Sequence, residues 1–216
     1  VFQAYSLPGI VNAGNGGNTS RDMLDRIDKD VIAADPGLVI IMVGTNDMLN
    51  SKKMISYQEY ERNLDQLVRK LKVNGIEVLL MSSPPVDSAY LFTRHDRSLY
   101  MQAPNEKMDS VRQIVRRIAV KNDAAFLDLF EKFTELNLPN HNEDLFIRNP
   151  KNSGSGDGVH PTRLGYRLIA QYVFNTLKMN GLLEGEKKIV CFGDSITHGN
   201  GTGKNYPSYL SDLIMD

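Results

Sequence analysis

A chain of 216 residues, 41% hydrophobic and 24% charged, is long enough to bury a sizeable core without metals or cross-links, so one domain over residues 1–216 is expected. A formal net charge of -1 leaves no positive surplus for a phosphate backbone, and no apolar run approaches the ~18 residues of a membrane span, which sets aside nucleic-acid partners and membrane spans. The lone cysteine, Cys191, excludes an intrachain disulfide and a cysteine-rich zinc site, and slightly favours a reducing, cytoplasmic compartment. The chain opens on Val-Phe-Gln with no charged-then-apolar leader, as a trimmed or processed end would.

The first expected strand, 9–12, runs into Asn12-Ala13-Gly14-Asn15-Gly16-Gly17-Asn18-Thr19-Ser20, where glycines let backbone N–H groups come close to a reacting oxygen. A second strand, 38–43, ends at Gly44-Thr45-Asn46-Asp47, whose asparagine amide is a neutral donor. Together the two blocks suit an oxyanion hole; singly, each reads equally well as a turn. Tyr57, Tyr60, Leu64, Leu67, Val68 and Leu71 then recur at helical spacing, the core-facing stripe of a helix. Strand 76–81 follows, and after it 84–105 has two prolines and no period, which predicts a long loop, either a lid or a surface excursion. Met108, Val111, Val115 and Ile118 mark the next helix and 124–127 the next strand.

A polar loop at 149–158 leads into Asp157-Gly158-Val159-His160-Pro161-Thr162. An aspartate three residues before a histidine can bond one ring nitrogen while the other faces outward, the relation of orienter to general base; a capping turn with an incidental histidine is the alternative. Leu164, Leu168, Tyr172 and Val173 give a further helix stripe, 180–186 reads as a joining linker, and strand 188–192 ends in Gly193-Asp194-Ser195-Ile196-Thr197. There a glycine permits a tight strand exit and presents the Ser195 hydroxyl at the rim of the sheet, as a nucleophile candidate. The apolar runs, rich in Val, Ile and Leu and without polar alternation, predict an α/β protein with strands buried on both faces. Leu210, Leu213 and Ile214 continue at helical spacing into Val1 and Phe2 if the ends are joined, which predicts that the termini cut one helix and that the chain order is permuted.

Three other motifs carry less. Gly199 to Lys204 resembles a phosphate loop, but Asn205 stands where Ser or Thr should hold magnesium, so a nucleotidase is rejected. The sequons at Asn18 and Asn200 fall in the loops just described and read as chance. His95, His141 and His198 have no spacing that pairs two of them, so no metal is expected; His198 lines the pocket or is a plain surface histidine.

The four blocks at the carboxyl ends of four strands together resemble the SGNH hydrolases, the GDSL-type lipases and acylhydrolases, over nearly the whole chain. The resemblance implies a three-layer α/β/α flavodoxin-like sandwich with about five parallel strands, Ser195 as nucleophile, His160 as base, Asp157 as acid, and an oxyanion hole from the N–H of Ser195, a glycine N–H matched to Gly17 (with Gly14 and Gly16 close by) and Asn46. It also implies that the serine block ordinarily comes first, whereas here it comes last. The activity implied is ester hydrolysis through an acyl-enzyme without cofactor; a short acyl group, such as acetate on a sugar, is the first expectation, because no long apolar segment near the blocks marks an acyl-chain tunnel. A lysophospholipase or thioesterase is the second reading, and a non-catalytic carbohydrate-binding relative, against which the intact Ser195, His160 and Asp157 argue, is the third.

Overall fold

Runs of Val, Ile and Leu build a five-stranded sheet in the computed structural model, which describes residues 9–185, 187–200 and 203–215. The elements in chain order are β1 (Ile10–Gly14), α1 (Ser20–Asp30), β2 (Leu38–Met42), α2 (Thr45–Leu49), α3 (Tyr57–Val73), β3 (Glu77–Met81), α4 (Ser88–Leu91), α5 (Pro104–Lys121), β4 (Ala125–Leu127), α6 (Leu129–Glu135), α7 (Pro150–Ser153), α8 (Arg163–Met179), β5 (Ile189–Gly193), α9 (Ser195–His198) and α10 (Tyr206–Met215). Every strand pairing is parallel, in the spatial order β1-β5-β2-β3-β4. Counted from β5, that order reads 2-1-3-4-5, the flavodoxin-like arrangement.

Handedness assigns the layers. The crossovers carrying α1, α3 and α5 all advance toward β4, while α8 returns from β4 to β5; right-handed connections therefore put α8 on the opposite face. Packing agrees: α1 lies on α3 and α3 on α5, whereas α8 pairs with α10. The core sits around β2 and β5, every residue of which is buried, and each fully buried Ile or Leu there contributes about 1.5–3 kcal/mol. In register, Gly14 and Met42 flank Gly193, so the loops after β1, β5 and β2 leave the same edge side by side. Helix caps stop two of the site loops sharply. Thr19 forms a capping box with Asp22 at the start of α1, and Thr162 accepts the Gly165 N–H at the start of α8, each a cap that holds the entering chain.

Four sequence expectations need correction. The strands are not all buried on both faces: Val11 is 39% exposed and Asn12 exposed, because β1 is an edge strand, and β4 at the other edge is only half-buried. The buried face of α8 is Tyr166, Ile169, Ala170, Val173 and Leu177, while Leu164 is exposed. Leu164 and Leu168 instead border a groove toward Tyr209 and Leu213 of α10, a second apolar flank that helical spacing alone does not separate from the first. The 84–105 segment holds α4 and a 3₁₀ turn at Arg97–Leu99, and α5 starts within it at Pro104. Likewise α7 lies inside the 149–158 loop, capped by Asn149; four-residue helices are too short to show a period. Leu210 is buried and Leu213 and Ile214 pack against the core, but Val1, Phe2 and Asp216, on which the continuous helix rests, lie outside the described residues.

Candidate active site

Ser195 stands at the first position of α9, directly after the carboxyl end of β5. The Asp194 side chain caps that helix by accepting the Ile196 N–H at 2.9 Å, which turns the chain sharply and leaves Ser195 Oγ at the rim. A neighbouring loop must come very close for this. A Cβ on Gly14 would fall 2.2 Å from the backbone nitrogen of His198, so Gly14 carries α9 on its bare Cα.

His160 Nε2 lies 2.9 Å from Ser195 Oγ, and His160 Nδ1 lies 2.9 Å from each oxygen of Asp157. The carboxylate fixes the proton on Nδ1 and leaves Nε2 to accept from the serine, an assignment that follows from the partners. Asp157 Oδ1 also accepts the backbone N–H groups of Val159 and His160, at 2.9 and 2.8 Å, so the spacing of three closes a tight turn that aims the ring. Burial pushes the Asp157 carboxyl up, but the hydrogen bonds and charge of His160, with these N–H groups, outweigh it and hold Asp157 well below the usual range. Two guanidiniums flank it, Arg94 and Arg148, each 3.6 Å from Oδ2. Arg94 also donates to the Asp157 carbonyl at 2.5 Å, which ties the 84–105 segment to this turn.

On the other side of Ser195 lie the remaining expected residues. Gly17 has φ +75 with nothing within 4 Å of a Cβ position, so its backbone fits a glycine and faces open space, unlike Gly14. Among the described residues, the N–H groups of Gly17 and Ser195 meet no acceptor. Asn46 Nδ2 donates to the Asn18 carbonyl at 3.0 Å and reaches Asp194 Oδ2 only at 3.4 Å. Such an arrangement of neutral donors beside a hydroxyl hydrogen-bonded to an imidazole is chemically equipped for acyl transfer.

Residues not singled out in the sequence join these loops. Asp47 accepts both the N–H and the hydroxyl of Ser20, at 2.9 and 2.5 Å, and Asn63 donates to that hydroxyl at 3.0 Å, which locks the 12–20 loop to the 44–47 loop. The signal was present, since an aspartate beside Asn46 between buried neighbours needs partners. Burial raises Asp47 and Asp194 to about 6 each, against their hydrogen bonds from Ser20 and Ile196 respectively. A carboxyl raised above its unfolded value stabilises the fold fully below about pH 4, and this contribution is lost as pH rises through about 6. Asp194→Asn keeps an oxygen for the Ile196 N–H and removes one such ionisation. Its Tm relative to wild type should therefore rise by roughly 5 °C between pH 4 and pH 8. The opposite drift of Asp157 is common to both proteins and cancels, so a pH-independent difference in thermal melts would contradict the assignment.

The other histidines are dispersed. His95 contacts Ser51, His141 pairs with Asp87, and His198 is exposed with Nδ1 3.2 Å from the Gly14 carbonyl. Among the described residues no group of three His, Cys, Asp or Glu side chains is placed to hold a metal ion. Asn18 is buried and its side-chain oxygen is taken by Arg26; the Asn200 sequon extends outside the described residues.

Comparison with known proteins assigns the chain to a family. A sequence model of the GDSL-like lipase/acylhydrolase family matches residues 2–168. An acetylxylan esterase of Geobacillus stearothermophilus is 29% identical over 163 residues, 75% of this chain and 68% of that protein. The uncharacterized lipoprotein YqeF of Bacillus subtilis (strain 168) is 25% identical over 171 residues, covering 74% and 70%. The crystal structure of the Geobacillus esterase, Axe2, superposes with a TM-score of 0.59 at 26% identity over 74% of this chain and 68% of that one. Catalytic mutants of Axe2 have been solved at a serine, an aspartate and a histidine; there the last two are three positions apart and the serine lies far upstream of both.

Proposed function

The chain belongs to the GDSL-like lipase/acylhydrolase family and is a serine hydrolase acting on ester bonds, and from that membership we propose that it removes short acyl groups, acetate first, from carbohydrates. The observation that carries the mechanism is the unbroken run Asp157, His160, Ser195 with 2.9 Å at each junction. Ser195 Oγ attacks the ester carbonyl as His160 Nε2 takes its proton. The tetrahedral oxyanion is met by the N–H groups of Ser195 and Gly17 and by one N–H of the Asn46 amide, while its other N–H stays on the Asn18 carbonyl. Collapse expels the alcohol, protonated by His160, and leaves the acyl-enzyme. Water, deprotonated by the same nitrogen, then releases the acid and restores Ser195.

The short-acyl, carbohydrate reading rests on the rim. Asn15, His198 and Asn200 are exposed around the nucleophile loop, an edge of hydrogen-bonding groups suited to sugar hydroxyls rather than a greasy channel, and the Geobacillus relative is an acetylxylan esterase. A p-nitrophenyl ester series run beside acetylated xylo-oligosaccharides tests it. Acetate should be the best acyl group, with kcat/KM falling at least about tenfold by octanoate, since each badly placed methylene costs 1 kcal/mol or more. Activity that rises with chain length would favour a lysophospholipase or thioesterase instead.

The chain is further read as one domain in permuted order, with 180–186 as joining linker and 187–216 as the serine block. In support, β5 lies between β1 and β2 despite coming last, and in Axe2 the serine comes first. A gene rearranged to run from residue 187 through 216 into 1, ending near 183, should give an active esterase; an inactive or unfolded product would refute the order.

A further inference from the structure

Arg26, on α1, takes no place among the reacting groups, yet its guanidinium bridges two of the three loops that carry the proposed oxyanion donors, the one after β1 and the one after β5. Nη1 donates to the Ala13 carbonyl at 2.9 Å, Nη2 to the Gly193 carbonyl at 2.8 Å, and Nε to the Asn18 side-chain oxygen at 2.6 Å. The guanidinium lies 4.4 Å from the centroid of the Phe192 ring, and Asp30, one turn further along α1, accepts from Nη1 at 3.0 Å. Its side chain is only 14% exposed. A planar fork with five donors in fixed directions can hold these three oxygens at once, which a lysine ammonium on a flexible stem cannot.

Each acceptor stands next to a working group. Gly193 is two residues before Ser195, and its carbonyl also accepts the Asn15 N–H at 3.0 Å. Asn18 follows Gly17, and its own carbonyl holds the Asn46 amide at 3.0 Å. Ala13 is the last residue but one of β1, the strand that leads into the loop carrying Gly17. The three donor groups come from three loops: Arg26 joins the loops after β1 and β5 directly, and the Asn46 amide is tied to the same framework through the Asn18 carbonyl, beside the separate Ser20–Asp47 contact. We infer that Arg26 is a positioning residue for the oxyanion hole, fixing the Ser195 N–H, the Gly17 N–H and the Asn46 amide relative to one another, so that its loss lowers turnover rather than substrate binding. This rests on the esterase reading given above. The dependence is steep, because such donors work only 2.7–3.1 Å from the oxyanion and a displacement of about 1 Å can cost on the order of 10²-fold.

The test compares Arg26→Gln, Arg26→Lys, Asn46→Ala and the Arg26→Gln/Asn46→Ala double variant on p-nitrophenyl acetate, with thermal melts alongside. Asn46→Ala should lower kcat about 10²- to 10³-fold. Arg26→Gln and Arg26→Lys should each lower kcat roughly 10- to 10²-fold with KM within about threefold. The double variant should lose much less than the product of the single losses, because both act on the same donor set. In Arg26→Ala, millimolar guanidinium should restore kcat severalfold while the same concentration of ammonium does not, a rescue that a general loss of stability would not show. Full kcat in Arg26→Gln, strictly multiplicative losses, or equal recovery with ammonium would overturn the inference. Undiminished kcat in Asn46→Ala would instead refute the oxyanion hole itself, whatever Arg26 does; if Arg26→Gln does not fold, Arg26→Lys and the guanidinium rescue decide.

Discussion

Ser195→Ala should fold as the wild type does and lose esterase activity by about 10⁴-fold or more in kcat/KM. The residue is 9% exposed at the first position of a capped turn, and the cap is made by Asp194 rather than by Ser195. Removing its hydroxyl deletes the contact with His160 Nε2 and little else, so the Tm should stay within about 2 °C, the scale of losing roughly 0.5–1 kcal/mol in a chain of this length. What remains is catalysis by binding and by the oxyanion donors acting on a water, which triads without a nucleophile retain at a low level. Hydrolysis of p-nitrophenyl acetate within tenfold of wild type would remove Ser195 from its role.

Asp157→Asn should cost about as much, roughly 10⁴-fold in kcat, although the side chain keeps its shape. Oδ1 already serves the N–H groups of Val159 and His160, so an asparagine would keep its oxygen there. Its amide NH₂ would then fall at the Oδ2 position, 2.9 Å from His160 Nδ1, and donate to it. The proton moves to Nε2, which can no longer accept from Ser195. Arg94 and Arg148, each 3.6 Å from Oδ2, would face an NH₂ group in place of a carboxylate, so stability should fall too. Because the Asp157 carboxyl is held low in the fold, its stabilisation is present above the unfolded value near pH 4 and lost as pH falls. The stability gap between variant and wild type should accordingly be wide at pH 7 and narrow toward pH 2. Nitrogen NMR of the His160 ring reads the tautomer directly, and an Nδ1–H form in an inactive variant would contradict this explanation.

What could be read from the chain, and what could not, divides by the range of the interactions. Strands 38–42 and 189–193 announce themselves because every residue is buried and the sequence shows it as runs without a polar residue, Leu-Val-Ile-Ile-Met and Ile-Val-Cys-Phe-Gly. β1, Ile-Val-Asn-Ala-Gly, lies at an edge, and its single polar residue, Asn12, is too slight a break to separate it locally from a central strand. The proximity of Asp157 and His160 is local, three residues across one turn, and the Asp-Gly-Val-His spacing displays it. Ser195 meets them from 35 positions away, and was legible only because all the blocks sit at strand carboxyl ends, where a parallel sheet gathers its loops. The Arg26 fork, the Ser20 and Asp47 lock and the Arg94 and Arg148 flank join segments whose pairing no spacing encodes. An arginine on an amphipathic helix reads as solvent-facing until the fold supplies three carbonyl and amide oxygens around it.

The central claim, that Ser195 forms a covalent acyl-enzyme activated by His160 and Asp157, is tested most directly by labelling with a fluorophosphonate, followed by intact mass and peptide mapping. One phosphonyl group per chain should appear, on Ser195, with loss of esterase activity in proportion. No label should appear in Ser195→Ala, and labelling of Asp157→Asn should be much slower. A stoichiometric adduct on any other residue, or an active esterase that the reagent neither labels nor inhibits, would contradict it.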